Sequence, residues 1–147
     1  MPILIDTNVL LRSVQPSHAM HPIAVRALES LIKREDALVV AVQNVAEFWN
    51  VATRPANNNR LGFTLEEARE EIAKIDSFFQ ILSESQSSFA VWKNLVISRR
   101  VGGVQVHDAR LVSVMVAESI AAIVTFNVAD FARYPEIEVV HPEYVAS

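Results

Sequence analysis

The sequence predicts an α/β protein built on a mainly parallel sheet, with helices on both faces. Three observations lead there. Short apolar runs carry no charge along their length: "PILI" (2–5), "ALVVAV" (37–42) and "AAIVTF" (121–126). Strands covered on both faces read this way. Between these runs lie stretches whose apolar residues recur at helical spacing. The two kinds of segment alternate from one end of the chain to the other.

Taken in order, "PILI" is a buried strand and "NVLLR" the helix after it. Residues 21–34 place Ile23, Ala24, Ala27, Leu28, Leu31 and Ile32 on one helical stripe. "ALVVAV" is β-branched and brief, hence a strand. "NVAEFWNVATR" is a helix stopped by Pro55, and "ANNNRLG" is a loop. "TLEE" opens the next helix with a capping box, Thr64 at the cap and Glu67 three residues on. That helix runs to about Phe79 and leads into a strand near "QILS". Another helix covers 88–100 and ends at Gly102-Gly103. "HDARLVSVMVAES" is helical, "AAIVTF" a strand, and "IEVVH" the last strand.

Composition sets bounds on class. The 147 residues, 51% hydrophobic and 20% charged, suit one domain spanning 1–147 with a sizeable core. The absence of cysteine excludes disulfides and thiolate metal sites, and suits a reducing cytoplasm. No basic stretch followed by a long apolar run marks a signal peptide, and "ALVVAV" is far too short to span a bilayer. The net charge of −4 does not advertise nucleic-acid binding. Bound cations can still reverse the sign locally at a site.

The acids carry the functional signal. In a parallel sheet, ligands gather beyond the carboxyl ends of the strands. Asp6 lies just past the first strand, and Asp130 follows "AAIVTF" in "TFNVADF". Glu47 falls near the start of the helix after "ALVVAV". Asp108 sits in the first turn of its helix, where the backbone dipole favours an anion. Singly, each has an ordinary use as a cap, a turn residue or an exposed helix acid. Their shared position and apolar context set them apart from solvated runs such as "EEAREE". Several anions in one partly desolvated cleft repel by several kcal/mol per close pair at an effective dielectric of ~20. Protonation relieves that, and so does a hard divalent cation with oxygen ligands. Oxygen-only coordination favours Mg²⁺ or Mn²⁺ over Zn²⁺.

Four segments, "LIDTNVLL", "NVAEFWNVATRP", "VHDARLVSVM" and "VTFNVADFARY", resemble in that order the acidic motifs of PIN-domain nucleases. The likeness is strongest to the VapC-type toxins of bacterial toxin–antitoxin pairs and spans nearly the whole chain. It implies a PIN-like α/β fold and a Mg²⁺- or Mn²⁺-dependent endoribonuclease. Asp6, Glu47, Asp108 and Asp130 match the catalytic, metal-holding acids. Family members vary in which position of the last motif is acidic. Asn127 is neutral here, so Asp130 supplies the fourth negative group, with Asn8 and Asn127 as hydrogen-bonding helpers. The resemblance also implies a homodimer and a cognate antitoxin, part of which lies in a groove between helices. The apolar stripes Ile23/Ala27/Leu28 and Ala68/Ile72/Ile75/Phe79 are ordinary core by their pattern, and the resemblance gives them this second use.

The implied reaction is metal-assisted hydrolysis of an RNA phosphodiester, with one or two ions. Asp6 and Asp108 are the expected direct ligands, and the hydroxyls of Thr7 or Thr125 would orient a water or a phosphate. Arg12, Arg54 and Arg60 lie on segments leading from the cleft and are candidate RNA contacts. Arg110 points about 200° around the helix from Asp108 and reads as an ion-pair arginine. His107 reads as a surface neighbour, and Trp49 and Trp92 as core.

The rivals are weaker. A receiver domain needs paired acids after the first strand and a late lysine, whereas the last lysine here is Lys93. A haloacid-dehalogenase-type phosphatase needs a second Asp where Asn8 stands. The alternative from another class is a catalytically silent PIN-like domain acting as a partner-binding module.

Overall fold

The computed structural model describes residues 1–55 and 61–146. Five short strands form one sheet: β1 (Ile3–Ile5), β2 (Leu38–Ala41), β3 (Gln80–Leu82), β4 (Ala122–Val124) and β5 (Glu138–Val140). Their order is β3-β2-β1-β4-β5, and every neighbouring pair is parallel. Register places Leu4 beside Val39 on one side and Ile123 on the other. After β1 the chain builds outward through β2 and β3, then returns to the opposite side for β4 and β5. The reversal falls between β1 and β4, which makes their carboxyl ends the switch-point crevice of this sheet.

Side-chain alternation along the strands divides the core in two. Leu4, Val39, Ala41, Leu82 and Ile123 face one layer, packed against Leu95 and a run of residues from Ala109 to Met115. Those belong to α5 (Gln86–Ser98) and α6 (Val106–Ala117). Ile5, Leu38, Val40 and Val124 face the other layer. There they meet α1 (Thr7–Ser13), α2 (His21–Lys33), α3 (Val42–Ala52) and α4 (Leu65–Phe78) through residues such as Val9, Ala27, Phe48 and Ile75. Helices therefore cover both faces, as the uninterrupted apolar strands predict.

Two short helices escape the sequence reading: α7 (Val128–Phe131) and α8 (Pro142–Ala146). They are too brief to show a period. α8 buries Val145 against the α2 layer, and the Arg34 guanidinium donates to the Val145 carbonyl at 3.1 Å.

Helix ends also depart from expectation. α5 starts at Gln86, two residues early, because Ser85 accepts from the Ser88 N–H at 3.1 Å while the Ser88 hydroxyl accepts from the Ser85 N–H. It stops at Ser98 rather than running to the glycines, because Arg100 turns left-handed at φ 53°. Glu35 and Ser119 do the same after α2 and α6. Each left-handed residue lets the next N–H reach back to the helix, as Ile120 does to the Met115 carbonyl at 2.8 Å. This is the helix stop that glycine usually makes. Gly103, at φ 62°, opens instead a short 3₁₀ turn (Gly103–Gln105) that delivers the chain to α6 and Asp108.

Trp49 corrects another expectation. It is 36% exposed on the outer side of α3, while its neighbour Phe48 fills the core. Trp92 is half-buried against the first layer.

Candidate active site

Asp6 follows β1 directly and caps α1. Its Oδ1 accepts the Thr7 N–H at 2.8 Å, and its own N–H donates to the Val124 carbonyl at 3.0 Å. Asp6 is 8% exposed, and donors surround its carboxylate. The Thr125 hydroxyl donates to Oδ2 at 2.7 Å, the Asn8 amide approaches Oδ2 at 3.4 Å, and the Asn44 amide reaches Oδ1 at 3.5 Å.

Around it the same few residues close a network. Thr125, fully buried, accepts from the Asn8 amide at 3.2 Å and from the Asn127 N–H at 3.0 Å. The Asn8 carbonyl oxygen takes the Phe126 N–H at 3.2 Å, tying α1 to the loop after β4. Asn8 thus helps with its side chain, whereas Asn127 joins through its main chain. The Thr7 hydroxyl donates to Glu47 Oε2 at 3.0 Å and accepts from the Asn44 amide at 3.1 Å. Both threonine hydroxyl protons are therefore committed to carboxylates. Those bonds orient Glu47 and Asp6.

Asn44 is the residue that sequence reasoning missed. Fully buried, it accepts the Ala41 N–H at 2.9 Å and donates to Thr7 and Asp6, joining β2 and α3 to the α1 cap. The available signal was an amide three residues before Glu47, at the start of a helix after a strand. Gln43 is a second such residue, donating to Glu47 Oε1 at 3.3 Å and to the His107 carbonyl at 3.0 Å.

Asp108 lies half-buried in the first turn of α6, and Asp130 sits exposed in the first turn of α7. Electrostatics join all four acids. Burial, then the charges of Asp130, Asp6 and Glu47, push the Asp108 carboxyl up to about 6; His107 opposes this weakly. Burial also raises Asp6, with Glu47 and Asp130 adding to the effect and the Thr125 and Thr7 bonds working against it. Among the described residues, the four ion pairs all lie elsewhere, so no cation pairs with these carboxylates. Nor do any three His, Asp or Glu side chains there form a ready-made metal-holding group. The acids share one field without being drawn to one point.

Of the candidate RNA contacts, Arg12 donates to Gln15 at 2.5 Å and exposed Arg54 to Asn50 at 3.2 Å; neither bonds an acid of the cluster. Arg60 lies outside the described residues. Arg110 is bound to Glu84 through two nitrogens, as an ion-pair arginine should be. His107 is exposed.

A PIN domain family model matches residues 3–137. The chain belongs to the PIN domain family. PIN domains are in general nucleases, which supports nuclease activity. No curated protein matches the chain. Solved structures show the same fold. It is similar to a chain of the VapBC2 complex of Rickettsia felis bound to a promoter DNA fragment, with a TM-score of 0.71, 18% identity, and 96% and 98% of the two chains covered. It is similar to a chain of the FitAcB structure of Neisseria gonorrhoeae, with a TM-score of 0.68, 17% identity, and 95% and 97% covered. A third likeness is to VapC20 of Mycobacterium tuberculosis, a toxin described as cleaving the sarcin–ricin loop, with a TM-score of 0.66, 17% identity, and 92% and 98% covered. Among the described residues, no helix of this PIN domain is long and apolar enough to cross a membrane.

Proposed function

We propose that this PIN domain is a Mg²⁺- or Mn²⁺-dependent endoribonuclease, acting in the cytoplasm as the toxin of a toxin–antitoxin pair. One observation carries the reading. Four carboxylates lie close enough to feel one another's charge, two of them are raised by burial and then by mutual repulsion, and among the described residues none of the four is in an ion pair. Such an oxygen-only donor set fits a hard divalent ion. Asp6 and Asp108 would hold it, with Glu47 and Asp130 completing the charge.

A bound ion supplies a more acidic water and charge stabilisation at the phosphoryl oxygen. The chain's own contribution is orientation. Thr125 and Asn8 fix one oxygen of Asp6, and Thr7 and Asn44 lean on the other side of the cluster. Thr7 and Gln43 each hold one oxygen of Glu47. Hydrogen bonds of this kind set the direction in which carboxylates face a ligand.

The antitoxin reading is supported by an apolar cavity of about 410 Å³ between α1, α2 and α4. Its wall includes Leu28, Ile32 and Phe78, the last two 51% and 66% exposed, while Glu71 and Lys74 form a charged rim. Of the two stripes, Ala27 and Ala68 are core, while Leu28, Ile75 and Phe79 line this opening. A segment of antitoxin would fill it, and pairing of two copies would complete the toxin.

Incubating the pure protein with total cellular RNA, with and without Mg²⁺ or Mn²⁺, tests the reading. Discrete cuts that need the metal and vanish in Asp6→Asn are expected. The catalytically silent alternative draws on the lack of a preassembled three-residue metal group among the described residues. Intact RNA under all conditions would favour it.

A further inference from the structure

A second cavity, of about 240 Å³, is lined by Glu84, Ser85, Ser88, Phe89, Trp92 and Arg110, from the start of α5 and the first turns of α6. We propose that it receives one unpaired base of a single-stranded RNA whose backbone crosses the neighbouring acids. The inference rests on the ribonuclease reading and names a specificity pocket for it.

The aromatic pair comes first. Phe89 is 61% exposed near the start of α5, and its ring lies 6.1 Å from that of Trp92 with 28° between the planes. A large ring left in water beside a second, nearly parallel ring adds nothing to the core. It offers a face on which a base can stack, worth ~1–3 kcal/mol per base. The cavity is smaller than the ~300–1,000 Å³ of sites for drug-sized ligands, a scale suited to a single planar ring system.

Its position comes second. The Trp92 indole N–H donates to the Val106 carbonyl at 3.0 Å. That bond satisfies the indole's polar atom and pins the ring to the first residue of α6, two positions before Asp108. Arg110, two positions after Asp108, lines this cavity and also an adjoining one of about 220 Å³ that contains Gln43. Gln43 in turn bonds Glu47 and the His107 carbonyl. Gln43 and Arg110 thus link Glu47 to the cavity that holds the rings.

The rim chemistry comes third. Arg110 and Glu84 are held together at the mouth, both about half exposed. Their planar fork and carboxylate present donors and acceptors together, which base edges require. A base inside a duplex has neither a free face nor a free Watson–Crick edge, so the pocket selects splayed single strands.

The test uses Trp49→Phe protein, in which Trp92 is the remaining one of two tryptophans. Its emission is followed in EDTA during titration with a mixed-sequence single-stranded RNA hexamer, and separately with the matching duplex. The single strand should quench Trp92 and the duplex should not. Phe89→Ala should weaken the apparent affinity about tenfold, and Phe89→Tyr should retain it. Unchanged emission with the hexamer, or full affinity in Phe89→Ala, would overturn the pocket. Sedimentation of the same proteins supplies another check: a dimer that Phe89→Ala dissolves would place a second copy on these rings and also overturn it.

Cleavage assays with metal separate the two readings. Metal-dependent cuts whose positions and kcat/KM are unaltered in Phe89→Ala would remove the base pocket and leave the nuclease. Quenching by RNA that is never cut would remove the nuclease and leave the pocket.

Discussion

Asp108 and Glu136 are both acids near the outside of this PIN domain, and the fold treats them in opposite ways. Glu136 takes two bonds from one nitrogen of Arg99, at 2.8 and 2.6 Å. Slight burial works to raise its carboxyl, but the Arg99 bond, a backbone hydrogen bond and the arginine's charge outweigh it and hold it low. Asp108 is pushed up to about 6, by burial first and then by the charges of Asp130, Asp6 and Glu47. A carboxylate that serves the fold is neutralised by the fold. Among the described residues the crevice acids have no ion-pair partner, the pattern that marks them as candidates for a site.

The contrast breaks most visibly in activity. Asp6→Asn and Asp108→Asn should each lower RNA cleavage at least a hundredfold, about 3 kcal/mol of transition-state stabilisation, while Glu136→Gln should leave it unchanged. Steady-state kinetics at fixed metal concentration, with circular dichroism confirming the fold, measure this. Equal losses in all three variants would erase the distinction.

Asn44→Ala probes the support beneath the acids. It strips partners from the Ala41 N–H, Thr7 and Asp6 at once. A loss of about 1–3 kcal/mol in denaturant unfolding is expected from the buried groups left unpaired. Metal affinity, read by titration calorimetry, should fall about 10–100-fold.

The smallest effect should come from the paired acid. Glu136→Gln is expected to cost under about 1 kcal/mol, because solvent screens an exposed ion pair. Its pH sign is that of a lowered acid: the stabilisation is present above the ordinary carboxyl range and fades as pH falls through the native value. Urea midpoints of the variant and the parent between pH 3 and 7 check both size and direction.

The sequence showed most of the sheet and the larger helices because apolar runs and helical stripes are local signals. Asp6, Glu47, Asp108 and Asp130 were legible for a related reason: each stands beyond a strand or at a helix start, and strand ends converge in a parallel sheet. Asn44 was not legible. Its importance depends on β2 lying beside β1, which brings the start of α3 within reach of the α1 cap. Trp49 misled because its apolar neighbours fit a helical stripe that Phe48 in fact occupies. The α5 terminus was misplaced because Arg100 adopts a backbone conformation usually reserved for glycine.

The repulsive crevice is tested most directly by thermal melts of metal-free protein between pH 4 and 7.5, with Asp108→Asn alongside. The native Asp108 pKa of about 6 lies above its ordinary 3.8, so the native state binds the extra proton between those values. Stability should then fall as pH rises through that window. Because Asp108 is only half-buried, screening leaves about 1–2 kcal/mol of this. Mg²⁺ or Mn²⁺ at pH 7.5 should restore the wild-type melting temperature, whereas Asp108→Asn should show a flatter profile and a smaller metal response. A wild-type melting temperature indifferent to metal, with the same pH slope in the variant, would contradict a crevice of unneutralised acids.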